Sequence, residues 1–165
     1  MGSLSTTLRS TWVLVLLIST VSLSSPCTTR RSPECEAFLA LSPAQRQIEF
    51  RKHTIDKQVD MYLCGMKQEP PDLQLAYEIA DRGEAVIPLL LERLKTARNE
   101  MDQEDLIRVF EVMSDKGYLR GRTDVVTTIS DVVDDMKVAP IKEDSRESLK
   151  KIRISSGVKP FTYVQ

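Results

Sequence analysis

Histidine is almost missing from this sequence: His53 is the only one among 165 residues. A zinc site of the usual kind needs three or four nitrogen and sulfur ligands close together, and no second histidine or CxxC pair exists to complete one. A histidine-based triad would have to recruit its serine and carboxylate from far along the chain. Glycine is scarce too, at six residues, and none falls in a phosphate-cradling loop or a nucleophile elbow. Only 5% of the chain is aromatic, so a core has to be built from Leu, Ile, Val and Met. A net charge of -1 supplies no long-range field to draw in nucleic acid, and nucleic acid is not an expected partner.

With 41% apolar and 28% charged residues, the chain reads as one modest globular domain preceded by a targeting segment. Arg9 is the sole charge before residue 30, and Trp12 to Ile18 is an unbroken apolar run followed by the small polar stretch STVSLSSP. That order is the pattern of a secretory signal peptide over residues 1–24, with Ser22 and Ser24 as the small residues ahead of a cut after Ser24. The run is too short to span a bilayer as an ordinary helix, which takes about 20 residues. Leu23-Ser24-Ser25-Pro26-Cys27 also resembles a bacterial lipobox, with Pro26 standing where a small residue is usual. The resemblance implies Cys27 as a lipidated first residue, and membrane association through that lipid or through an uncleaved N-terminal segment. The expected location is exported: periplasmic or membrane-anchored in a bacterium, secreted otherwise.

Cysteine usage agrees with export. With Cys27 set aside for lipid, Cys35 and Cys64 remain as a pair in an oxidising compartment. Their bridge would close a loop of about 30 residues and contribute on the order of 3 kcal/mol. The alternative is that Cys64 is a small buried apolar residue on its helix. Residues 25–41, rich in Ser, Thr and Pro and without a sustained period, read as a linker.

From residue 42 to 154 the period is helical. Ser42-Pro43-Ala44-Gln45 combines a capping serine, proline in the first turn and Gln at the capping-box position, which predicts a helix to about Lys52. Thr54 stands before Ile55, Val59, Tyr62, Leu63 and Met66, one face of a second helix that stops ahead of Pro70. Asp72 is placed to cap a third helix, Leu73 to Arg82, closed by Gly83. A fourth follows near Glu84, with Ile87, Leu90, Leu91 and Leu94 as its stripe. Val86 and Leu89 widen that stripe, which predicts a central position for this helix. Leu106, Val109, Phe110 and Met113 define a fifth helix ending at Gly117, with Glu104 four residues ahead of Arg108 as a helical ion pair. Thr123 to about Met136 makes a sixth, ended by Pro140. A short seventh is expected from Asp144 to Ile154, and residues 155–165 read as a loose tail.

Ala80 to Leu94, ADRGEAVIPLLLERL, resembles the turn and second helix of a HEAT-type helical repeat, a likeness covering about residues 73–94. The resemblance implies antiparallel helix pairs that bury their cores by stacking on neighbours. The expected fold is thus all-α, six or seven short amphipathic helices in a HEAT-like or irregular stack. Gly83, Ile87, Leu90, Leu91 and Leu94 are its expected structural core.

Constellations with chemical potential are few. His53 lies between two predicted helices beside Arg51 and Lys52 and reads as an exposed junction residue. Asp124, Asp131, Asp134 and Asp135 lack the glycine turn and alternating oxygens of a calcium loop and read as a solvated helix face. Glu69 and Asp72 flank a stiff Pro-Pro turn, explained by turn rigidity and capping. No cofactor, metal or catalytic set is expected. The expected role is an exported or membrane-tethered helical binding or scaffolding module with another protein as its partner. Two alternatives stand beside it: an inhibitor or immunity-type protein acting on a toxin or hydrolase, and an enzyme with a site built from scattered carboxylates.

Overall fold

A computed structural model describes residues 32–158, and every regular element among them is helical. The order is α1 (Pro33–Leu39), α2 (Pro43–Arg51), α3 (Ile55–Met66), α4 (Gln74–Ala80), a 3-10 turn (Gly83–Val86), α5 (Ile87–Thr96), α6 (Glu100–Asp115), α7 (Thr123–Asp135) and α8 (Ala139–Ser156). The fold is all-α. The signal-peptide stretch 1–24 and Cys27 lie outside the described residues. No helix among the described residues is long and apolar enough to cross a membrane.

Local chemistry sets most boundaries. Ser42 and Gln45 form the reciprocal capping box that opens α2, Ser42 Oγ accepting from Gln45 N and Gln45 Oε1 from Ser42 N. Asn99 caps α6 by accepting from Asp102 N at 2.8 Å. The far end of α6 closes with Gly117 at φ 82°. There Tyr118 N reaches Met113 O at 3.0 Å and Gly117 N reaches Ser114 O at 2.9 Å, the paired bonds of a Schellman closure. Gly83, the first residue of the 3-10 turn, takes φ 68°, a left-handed conformation that glycine adopts without penalty.

α6 is the hub. It packs along α8 most extensively and also receives α4, α5 and α3. Leu106, Ile107, Val109, Phe110 and Met113 on it are fully buried, each contributing about 1.5–3 kcal/mol relative to exposure. Centrality passes from the 87–94 stretch to α6 because α5 is only ten residues long and reaches fewer neighbours. Ile87, Leu90 and Leu94 are fully buried beneath α6 and α7, whereas Leu91 is half-buried at the edge of the core and Gly83 is half-buried in its turn. α4 and α5 pack chiefly on α6 and not along one another, so the 73–94 stretch does not form the side-by-side pair that the HEAT resemblance implies. The stack is irregular.

Four further corrections have physical causes. The stretch 25–41 is not all linker: α1 occupies Pro33–Leu39, capped by Ser32 and pinned to α3. Asp72 does not cap α4; its carboxylate lies 3.4 Å from Arg46 Nε, and Arg46 also donates to Gln68 at 2.6 Å. Pro140 opens a helix and does not end one. α7 already stops at Asp135, and Pro140 sits in the first turn of α8, where a missing N–H costs nothing. Glu100 spans the gap, accepting from Lys137 N at 2.6 Å and Val138 N at 2.8 Å. Finally α8, the longest helix, begins at Ala139 and includes Ser155 and Ser156, which the sequence assigns to a tail. Its buried face carries Ser145, Ser148 and Ser156 beside Leu149 and Ile152, small residues that let α8 lie close to α6. Ser114 Oγ donates to Ile152 O across that seam at 3.4 Å.

Candidate functional site

α1 is seven residues long, too short to hold helical structure unaided. Phe38 is buried in the core and Leu39 packs against it, Glu34 pairs with Lys57 of α3, and Cys35 is joined to Cys64 of α3 with Cα atoms 5.8 Å apart. The bridge closes a separation of 29 residues and therefore removes considerable freedom from the unfolded chain, by about 3–4 kcal/mol.

The corner between α2 and α3 is fixed by Gln58, which is fully buried. Its Nε2 donates to Phe50 O at 2.8 Å and to His53 O at 3.2 Å, one carbonyl in the last turn of α2 and one in the junction that follows it. This holds His53 in place immediately after α2. Lys57, Asp60, Met61 and Cys64 follow at helical spacing on one face of α3, turned toward α1.

Between these three helices lies a pocket of about 490 Å³. Phe38, Leu41, Met61 and the Cys35–Cys64 bridge supply its apolar wall, while Ser32, Glu34, Glu49, His53, Lys57 and Asp60 form the polar margin. That volume is in the range of sites that enclose a small molecule. Every acid on the margin has a base of the chain beside it. Glu34 meets Lys57, Glu49 meets Lys52 at 2.9 Å and His53 at 3.2 Å, and Asp60 meets Arg93 at 3.2 Å. The hydrogen bond from Lys57 holds the Glu34 carboxyl below its usual range, and that from Lys52 does the same to Glu49.

Ser32, His53 and Glu49 line one pocket, a composition that invites comparison with a nucleophilic triad. Ser32 Oγ is committed to Cys35 N at 3.2 Å as the α1 cap, and His53 Nε2 to Glu49 at 3.2 Å. No hydrogen bond joins Ser32 to His53, so the nucleophile–base contact that such chemistry needs is not made.

A second charged group lies where α3 meets the start of α6. Tyr62 is fully buried, and its hydroxyl donates to Asp105 O at 2.7 Å. Burial lifts the tyrosine well above its usual value, which keeps that proton in place. Burial also raises the Asp105 carboxyl to about 7; Glu104 and Asp102 add to the shift, while Arg108 and Lys67 oppose it. Glu104 itself pairs with Arg108 at 2.6 Å, and Asp102 with Lys67 at 3.0 Å.

Of the acids singled out from the sequence, Asp124, Asp131, Asp134 and Asp135 are exposed on α7. Asp124 is paired with Arg122 at 2.8 Å, whose hydrogen bond lowers its carboxyl to about 2. No group of three His, Cys, Asp or Glu side chains among the described residues is placed to hold a metal ion. Glu69 and Asp72 do not converge, since Glu69 is exposed and Asp72 is taken by Arg46. Sequence reasoning missed Glu34, Glu49, Phe38, Leu41, Lys57 and Met61 as neighbours. A usable signal existed in the cysteines: a Cys35–Cys64 bridge sets α1 against the α3 face that carries Lys57 and Met61, two turns and one turn before Cys64.

No known family, characterised protein or solved structure matches this chain.

Proposed function

We propose that this chain is an exported helical binding module that meets its partner, another protein, through the α1–α3 face. The observation that carries the reading is the Cys35–Cys64 bridge at the wall of the pocket. A bridge of this kind persists in secreted and periplasmic proteins and is rare where thiols are kept reduced. It lies here on a short helix at the periphery, which keeps that surface ordered and adds little to the deep core. Ordering a surface in advance lowers the entropy lost on binding. The signal-like run Trp12 to Ile18 agrees with export, and Cys27 offers a membrane tether.

Expression of the full chain with sequential thiol alkylation tests this reading. In the exported fraction Cys35 and Cys64 should react only after reduction, and the mass of the mature N-terminus should show a lipidated Cys27 or a free Ser25. Affinity capture from that fraction should then retain a stoichiometric protein partner, lost when Lys57 is changed to Glu. Free thiols on a protein that stays inside the cell would overturn the reading.

A further inference from the structure

We propose that the α1–α3 pocket binds a neutral, largely apolar small molecule, and that the Cys35–Cys64 bridge keeps the site formed. The inference rests on reading this face as a binding face and goes further in naming what it takes. Its first ground is shape: about 490 Å³ between three helices, with Phe38, Leu41 and Met61 beside the disulfide sulfurs. The groove is open to solvent on one side, and its volume is in the range of sites that take small molecules.

Charge complementarity supplies the second ground. Glu34, Glu49 and Asp60 on the margin are each paired with a cation of the chain, Lys57, Lys52 and Arg93. A charged ligand entering the pocket would lose water without finding an unpaired counter-ion, and that loss is not repaid. A neutral apolar ligand meets no such cost and gains from covering the apolar wall. The third ground is construction. α1 forms one whole side of the pocket, and among the described helices it packs substantially only on α3. Opening the bridge leaves a seven-residue helix held by Phe38, the half-buried Leu39 and one exposed ion pair, too little to keep that side in position.

Two fluorescent probes with the same aromatic body test the idea directly. N-phenyl-1-naphthylamine is neutral, whereas 8-anilinonaphthalene-1-sulfonate carries a fixed negative charge. The oxidised full chain should bind the neutral probe saturably and one to one, at least about tenfold more tightly than the sulfonate. Ala37→Trp, at the exposed mouth of the pocket, should abolish binding while the circular-dichroism spectrum stays helical. Reduction with a phosphine should abolish it as well. In the wild-type chain the Met61 methyl resonance should shift with probe concentration, a readout that does not depend on any variant folding. Absence of saturable binding, equal or tighter binding of the sulfonate, undiminished binding in Ala37→Trp, or an unmoved Met61 methyl would each overturn the ligand proposal. Unchanged binding after reduction would overturn the role of the bridge. Retention of the protein partner by Ala37→Trp alongside loss of the probe separates this inference from the export and partner reading.

Discussion

Replacing Asp105 with Asn is expected to stabilise the protein, and only at neutral and alkaline pH. Asp105 sits near the start of α6 behind the buried Tyr62, whose hydroxyl is bonded to the Asp105 carbonyl and not to its carboxylate. Burial, with Glu104 and Asp102 nearby, moves the carboxyl from 3.8 to about 7, against the pull of Arg108 and Lys67. The folded protein therefore keeps the Asp105 proton to near pH 7, while the unfolded chain gives it up near pH 4. The stability from this group is complete below about pH 4 and is lost as pH rises through 7. A carboxyl raised from 3.8 to about 7 corresponds to a ceiling of about 4 kcal/mol. Asp105 retains some access to water, and solvent screening brings the expected effect down to about 1–2 kcal/mol. Asn keeps the backbone acceptor for Tyr62 and cannot ionise. Urea unfolding from pH 4 to 8.5 measures the outcome: the two proteins should differ little at pH 4. The variant's midpoint should lie higher by about 0.5–1 M above pH 8. A difference that is constant with pH, or a less stable variant at pH 8, would falsify the burial argument.

Gly83→Ala should cost about 1–2 kcal/mol, because φ of 68° is unfavourable for any side chain. A new Cβ meets Tyr118 only at ordinary contact distance, 3.7 Å, so the loss comes from the backbone alone; unchanged thermal stability would show that the turn does not need its left-handed residue. Leu90→Ala should cost about 3 kcal/mol by opening a cavity under α6, while Leu91→Ala at the half-buried edge should cost less than about 1.5 kcal/mol. Chemical denaturation of the pair checks this, and equal losses would place Leu91 in the core after all.

The elements most legible in the sequence are those whose causes are local. The Ser42–Gln45 capping box and the Gly117 closure each involve partners within five residues, so their geometry follows from spacing. The apolar stripes of α3, α6 and α7 are equally plain, since one face of each must leave water. α8 was harder to read for the opposite reason. Its buried face is partly serine, and burial of a small hydroxyl side chain beside another helix leaves no apolar period behind. Pro140 shows the ambiguity of a single residue: proline both excludes a helix interior and suits a helix start, and only the neighbouring backbone decides which applies. Asp72 had two uses open to it, a cap or an ion pair, and the approach of Arg46 from α2 settled the matter.

By itself the sequence determined that the domain is helical and where its middle helices begin and end. Those conclusions rest on composition and on interactions spanning one or two helical turns. Only the tertiary structure decided that α6, and not the 87–94 stretch, is the hub. It also decided that a short helix in the Ser/Thr/Pro-rich stretch is clamped to α3, and that His53, Glu49, Lys57 and Glu34 border one pocket with the bridge. Each of these depends on which helix packs against which. That choice is made by burying all the apolar faces at once, a sum over distant contacts that no local pattern encodes.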